Sequence, residues 1–336
     1  MMNKENEKAV IMMATYNGED YLRDQLKSLQ DQTFTNWDLY VSDDYSSDKT
    51  LQILKEFQQK DKRLKKILVN PKFHGPFANY FNVMHYVKTN CSNDYDYFFY
   101  CDQDDVWVNN KIERQIKVLK RLEKGNRLIP AFCYSDLELC DKKLIDMHDK
   151  MSNHITIQFR ENPYNEFFKE QYVWGTAMAH NLALWNLIPV ESVNVVHNYI
   201  SHDSYVARIA AIYAHIAYID DPLVMYRRTG NNVTSTPHGY TITQAIKKIL
   251  TRSVFVVRES ARTYRVSLYV VEKVKLKNTF VKDLKKCLLG NTVDSINFFK
   301  KYKILEGEKF WGNLATKVIL YSGIYKVTTV FKRKIN

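Results

Sequence analysis

The chain predicts an α/β fold, an open and mostly parallel sheet flanked by helices, followed by a basic helical C-terminal region. Three observations carry this. Short apolar runs alternate with amphipathic helical patterns over the first 125 residues, the signature of a parallel sheet with crossover helices. Three of these runs end in polar or acidic sets, where open parallel sheets gather their ligands. Charge is also divided: residues 241–336 hold 21 Lys and Arg against 6 Asp and Glu, while the first 240 hold 28 against 31.

The elements follow in order. Lys8–Ala14 reads as a strand, and Leu22, Leu26 and Leu29 mark one face of a helix. Trp37–Ser42 is a second strand. Its helix carries Leu51, Leu54 and Phe57 and is entered through Ser46, Ser47 and Asp48, all residues that favour helix caps. Lys66–Val69, Phe77–Val87 and Tyr95–Tyr100 supply a third strand, a third helix and a fourth strand. Asn109–Leu122 is amphipathic, with Ile112, Ile116 and Leu119 on one stripe.

The middle, from Pro130 to Arg228, is less regular. It offers strands at Ala131–Ser135, Tyr172–Ala177, Ala214–Asp220 and Leu223–Arg227, and a helix from His202 through Ala211. The domain boundary is expected near Pro237-His238-Gly239. That gives a first domain over 1–238, with halves 1–125 and 126–238, and a helical region over 239–336. In the latter, Leu320, Ile324, Val327 and Phe331 repeat at helical spacing near Lys317, Lys326, Lys332, Arg333 and Lys334. They suit either a helix packed on the first domain or an interfacial helix on anionic lipid.

Composition narrows the class. With 45% hydrophobic and 26% charged residues, the chain of 336 can bury a sizeable core, and its length suggests about two domains. Five cysteines, Cys91, Cys101, Cys133, Cys140 and Cys287, form no C-x-x-C pair, so neither a disulfide framework nor a structural zinc site is indicated. No signal-like or membrane-spanning apolar run appears, and a cytoplasmic protein is expected. The Gly-rich dinucleotide and P-loop fingerprints are absent.

The strand-end sets carry the chemistry. They are Thr15-Tyr16-Asn17, Asp43-Asp44, and Cys101-Asp102-Gln103-Asp104-Asp105-Val106-Trp107. In extended chain Asp102 and Asp104 share a side while Gln103 faces away. Two hard oxygen donors held so suit Mg²⁺ or Mn²⁺ with positions left for substrate phosphates. The same run also reads as a solvated acidic turn. Asp203 reads either as a functional carboxylate or as a charge complementing a helix N-terminus. Trp174-Gly175 is a candidate binding turn whose indole offers a flat face for stacking, or simply core.

In this order the residues resemble inverting nucleotide-sugar glycosyltransferases of family 2, with the GT-A fold and its Rossmann-like sheet, and in particular the bacterial rhamnosyltransferase-like members. The matching pieces are Ala14-Thr15-Tyr16-Asn17-Gly18, the stretch from Val41 to Thr50, the stretch from Cys101 to Trp107, His202-Asp203, and Tyr226-Arg227-Arg228-Thr229-Gly230-Asn231-Asn232. The resemblance implies that Thr15, Tyr16 and Asn17 line a nucleotide pocket, and that Asp43 accepts from a pyrimidine N–H with Asp44 in support. It places Asp102 near the ribose, Asp104 on a metal, Asp203 as general base and the Arg227 region over the diphosphate.

It further implies a UDP- or dTDP-sugar donor, with rhamnose among the candidates. The implied acceptor is a lipid-linked or polysaccharide glycan of the cell surface or capsule, and the implied location is the inner face of the cell membrane. Two positions depart from the family pattern. Thr229 stands where a His is common, and Tyr45 stands where Gly is usual after the Asp pair.

Two rival classes fit parts of the sequence. A nucleic-acid-binding protein would use the C-terminal basicity and the sequence pI of about 9.2, but carboxylates at three strand ends repel a phosphate backbone. A catalytically degenerate GT-A scaffold is the second, resting on Thr229 and Tyr45.

Overall fold

The computed structural model describes residues 7–70, 74–154, 159–169, 173–190, 200–229, 242–274, 276, 278–306 and 310–332. In the helices beginning at 242 and 310, side chains are described from 254 and 314 onward. The chain divides into two compact units.

The first unit comprises residues 1–153, 173–203 and 213–235. Its elements are β1 (Ala9–Thr15), α1 (Leu22–Gln30), β2 (Trp37–Asp43), α2 (Thr50–Lys60), β3 (Leu64–Val69), α3 (Pro76–Asn90), β4 (Tyr97–Cys101), β5 (Val106–Trp107), α4 (Lys111–Glu123), β6 (Ala131–Cys140), β7 (Asp146–Lys150), β8 (Met178–Asn181), α5 (Leu182–Leu187), the start of α6 (His202–Tyr213) and β9 (His215–Arg227). One sheet runs β3-β2-β1-β4-β8-β6-β9-β5, with β7 against β6. β3, β2, β1 and β4 are mutually parallel, and β8 then enters antiparallel between β4 and β6.

Burial explains the strand sequences. β1, β2 and β4 lie almost wholly inside, so they read as continuous apolar runs without alternation. β3 sits at the edge, and Lys65 and Lys66 are exposed there, a composition that discourages pairing with another sheet. α4 buries the expected stripe of Ile112, Ile116 and Leu119.

Several expectations are corrected. No strand covers residues 173–177 of the expected Tyr172–Ala177, whose Tyr172 lies outside the described residues: Val173 and Trp174 are irregular, and Gly175–Ala177 form a 3₁₀ turn leading into β8. Leu223–Arg227 does not form a separate strand, because β9 continues through Asp221 and Pro222 with a register shift against β6. Ser46 and Ser47 do not cap α2; Asp48 Oδ1 accepts from Thr50 N at 2.9 Å, while Ser46 is drawn to Asp43. The boundary expected near Pro237 lies outside the described residues.

The second unit comprises residues 154–172, 204–212 and 236–336. It holds the middle of α6 together with α7 (Ile242–Lys273), α8 (Thr279–Leu289), α9 (Thr292–Tyr302), α10 (Phe310–Ser322) and α11 (Thr329–Lys332). Aromatic packing explains why 154–172 belongs here and not with the preceding sheet. Phe168 meets Tyr264, Phe298 and Phe299, and Phe280 stacks on Tyr164 and meets Phe167 and Tyr302. Buried Glu166 accepts from Ser204 and Arg208, which ties 204–212 to the same core.

The helical stripe expected from Leu320 to Phe331 is broken. Gly323 adopts φ +68°, a left-handed conformation that suits glycine, and ends α10. A 3₁₀ turn over 324–327 follows, so Leu320 points inward while Ile324 and Val327 are exposed.

Candidate functional site

Register alone brings three loops to one edge. Thr15 pairs with Asp43, and Met13 with Cys101, so β1, β2 and β4 end side by side. The loops that follow carry all three polar sets.

The first two sets knit together. Asp43 is fully buried and accepts from the Thr15 hydroxyl at 2.8 Å, from Ser46 N at 2.8 Å and from the Ser46 hydroxyl at 2.6 Å. Asn17 N donates to Ser46 Oγ, and Asn17 Oδ1 accepts from Ser47 N, both at 2.9 Å. Asp44 accepts from Asn70 Nδ2 at 3.0 Å and from Gly75 N at 2.7 Å, which ties the strand end to the start of α3. Asn17 and Tyr45 both sit at positive φ, +44° and +58°. Asn tolerates this region; the Cβ-bearing Tyr45 pays roughly 1–2 kcal/mol there. Tyr16 and Tyr45 are the exposed aromatics of this edge.

Gln103 then couples the acidic loop to the first set. Its Oε1 accepts from Tyr16 N and its Nε2 donates to Tyr16 O, both at 2.8 Å. Gly18 makes room for it: a Cβ there would lie 2.3 Å from Gln103 Oε1.

The acidic loop is held against electrostatic resistance. Tyr80 hydroxyl lies 2.6 Å from Asp102 Oδ1 and 2.7 Å from the Cys101 carbonyl. Burial, then repulsion from Asp104 and Asp203, lifts Asp102 to a pKa of about 7, with the Tyr80 hydrogen bond opposing. Burial also raises Asp104, opposed by the Arg227 charge. Asp105 is fully enclosed and rises well above the carboxylate range through burial and the charges of Asp104 and Asp102. Its Oδ1 accepts from Arg227 N at 3.2 Å, while Oδ2 has no hydrogen bond.

Carboxylates that resist sharing a charged state are a donor set that a divalent cation would relieve. Among the described residues no three His, Cys, Asp or Glu side chains form a metal-ligand group.

Asp203 opens α6 beside this loop, close enough for its charge to be felt by Asp102. Ser201 hydroxyl donates to Asp203 Oδ1. Its neighbour His202 stacks on the Tyr80 ring, with centroids 3.5 Å apart. Burial holds His202 neutral, with a pKa of about 3, and its Nε2 has no partner. Gly175 permits this, since a Cβ there would lie 2.1 Å from Nε2.

Arg227 and Trp174-Gly175 are held by contacts within the chain. Arg227 is 2% exposed. Its Nε donates to Asp104 O at 2.8 Å, Nη1 to Lys142 O at 2.6 Å and Nη2 to Asp24 at 2.8 Å, and the guanidinium lies 4.7 Å from the Tyr21 ring centre. It clamps the acidic loop through these contacts. Trp174 is 8% exposed and so presents no open face for a sugar, and Gly175 serves His202. Trp107 is core: its Nε1 donates to Thr176 and the buried Lys111 ammonium lies 3.9 Å over its ring.

Sequence reasoning missed Tyr80, the clamp made by Gln103, and Lys111. The pairing of Gly18 with Gln103 carried no local signal, because 85 residues separate them.

Comparison with known proteins agrees with this architecture. The model of Glycosyl transferase family 2 matches residues 10–231. The dTDP-rhamnosyl transferase RfbG of Shigella flexneri is 26% identical over 295 residues, 86% of this chain and 93% of that protein. The Escherichia coli UDP-Glc:alpha-D-GlcNAc-diphosphoundecaprenol beta-1,3-glucosyltransferase WfgD is 30% identical over 135 residues, 40% of this chain and 47% of that one. Among solved structures, S. aureus TarS 1–349 in complex with UDP-GlcNAc superposes with a TM-score of 0.53 at 14% identity, covering 96% of this chain and 82% of that one.

Proposed function

The chain belongs to glycosyl transferase family 2 and has the GT-A fold, and from that premise we propose a donor, an acceptor and a base for the sugar it transfers. It is a rhamnosyltransferase-like glycosyltransferase of polysaccharide synthesis. The donor we propose is a UDP- or dTDP-sugar, with rhamnose the first candidate because RfbG uses a dTDP-rhamnosyl donor by name. The proposed acceptor is a lipid-linked glycan at the inner face of the cell membrane, by analogy with the diphosphoundecaprenol acceptor in the WfgD name. Among the described residues no helix is long and apolar enough to cross a membrane.

The observation that carries the reading is the meeting of three polar loops at one sheet edge with Asp203 beside them. In this reading Thr15, Tyr16, Asn17 and Asp43 shape the base and ribose end. Asp44 braces that pocket from beneath, through Asn70 and Gly75. Asp102 faces the ribose, and Asp104 holds a divalent cation. When bound, that cation supplies positive charge to the diphosphate oxygens as the leaving group departs. Arg227 positions the acidic loop through the Asp104 carbonyl.

Asp203 takes the proton of the acceptor hydroxyl. The freed oxygen pair forms a bond to the anomeric carbon from the face opposite the diphosphate. The bond from that carbon to the diphosphate oxygen breaks with its electron pair, so one displacement inverts the centre. Neutral His202 cannot compete for the proton, because burial depresses its basicity.

The test is turnover of UDP- and dTDP-sugars with a glycan-lipid acceptor, with and without a chelator. We expect nucleoside diphosphate release that the chelator stops and Mn²⁺ or Mg²⁺ restores. Failure of every donor to turn over or to raise the melting temperature would support the degenerate scaffold instead.

A further inference from the structure

The second unit carries an aliphatic ridge that its fold does not use. Where α10 ends at Gly323, the chain turns Ile319, Leu320 and Tyr325 inward, and Tyr325 hydroxyl donates to Leu288 O at 2.7 Å. The intervening positions face outward: Leu314, Val318, Ile324 and Val327 are exposed, Val327 by 69%. Leu289 and Val293, at the α8–α9 junction, are exposed as well.

The two sets adjoin. Thr292 hydroxyl donates to Tyr321 O at 2.7 Å, and the Lys326 ammonium donates to Gly290 O. Six aliphatic side chains thus gather around one seam, where a water-facing surface would scatter them singly.

Charge identifies the occupant. Residues 310–336 contain five Lys and Arg and no Asp or Glu. Lys286 and Lys332 are exposed and Lys317 partly so. A protein partner core selects aromatic residues and excludes lysine. Aliphatic side chains rimmed by lysines, along a stretch that carries no carboxylate from 310 on, match an anionic bilayer, where apolar groups enter the acyl boundary and ammonium groups stay at the phosphates.

We propose that this ridge, Leu289, Val293, Leu314, Val318, Ile324 and Val327, is the surface by which the protein docks on anionic lipid. It rests on the membrane-face reading above and gives that reading its residues. The bilayer differs from the acceptor: docking concentrates the enzyme where lipid-borne acceptors lie, and the ridge need not touch one.

The experiment floats the full-length protein with vesicles of phosphatidylcholine alone and with added phosphatidylglycerol. A second arm uses the variant Leu289→Gln, Val318→Gln, Ile324→Gln, Val327→Gln. We expect binding that needs phosphatidylglycerol and weakens with salt, and a loss of at least about tenfold in the variant at unchanged melting temperature. Binding by the variant equal to that of the parent overturns the ridge while leaving membrane association standing. No vesicle binding by the parent overturns both. A concentration-dependent dimer that the variant abolishes, without vesicle binding, assigns the ridge to a second copy. Turnover with a short soluble acceptor separates docking from chemistry: it should be unchanged in the variant, and its loss would overturn docking as the ridge's role.

Discussion

The acidic edge of the first unit and the basic ridge of the second spend their side chains in opposite ways. At the edge, polar groups are turned onto one another. Asp43, Asp44, Gln103 and Arg227 use their hydrogen-bonding capacity inside the chain, and what stays strained is charge, in Asp102, Asp104 and Asp105. At the ridge, aliphatic groups are turned outward, and residues 310–336 carry lysines and an arginine without a carboxylate. In the proposed reading, the edge suits a divalent cation whose charge would offset the buried carboxylates. The ridge suits a broad, soft surface. Chemistry and address are built from different forces, and each should survive the loss of the other.

The strongest challenge to this division is Asp203→Asn. Transfer should fall by about 10²–10⁴-fold, the range of a lost general base, while donor binding and vesicle binding persist. Full activity in that variant would remove Asp203 from the mechanism.

Next comes Gly175→Ala. The added carbon must displace the His202 ring from Tyr80, at a cost of about 1–3 kcal/mol of stability and with reduced transfer. A melting curve identical to the parent would mean that the stack over Tyr80 is dispensable.

The smallest effect concerns the stored repulsion. Asp102 has its pKa raised from 3.8 to about 7, so its protonated form is the one the fold favours. Its stabilising contribution is full below about pH 4 and is lost as pH rises through about 7. Ligand-free protein in chelator should therefore melt lower at pH 8 than at pH 5. Asp102→Asn, which still accepts from Tyr80, should make that slope shallower. Asp104 and Asp105 act in the same direction, so the slope should not vanish. An unchanged slope would show that the loop does not store this repulsion.

Much of the first unit was legible because its signals are local. A strand buried on both faces is a continuous apolar run, and a helix on one face of the sheet repeats its leucines. The rule that ligands gather at the carboxyl ends of parallel strands then selected Thr15, Asp43 and Asp102 without coordinates. Tyr45 stands where the family resemblance puts Gly, and it adopts φ +58°. The stretch 172–177 failed this method: its apolar residues resemble a strand, yet Trp174 enters the core and Gly175 yields its space to a histidine 27 residues later.

What the sequence determined by itself is therefore the alternation of strands and helices, the edge where polar loops meet, and the division of charge between the two parts of the chain. These depend on periodicity and composition, which short-range sterics and burial impose residue by residue. Only the tertiary structure decided that Arg227 clamps a loop, that Gln103 grips the Tyr16 backbone, that 154–172 joins the C-terminal helices, and that Leu320 turns in while Val327 turns out. Each depends on partners far apart in sequence or on one left-handed glycine, and contact energies of that kind leave no period to read.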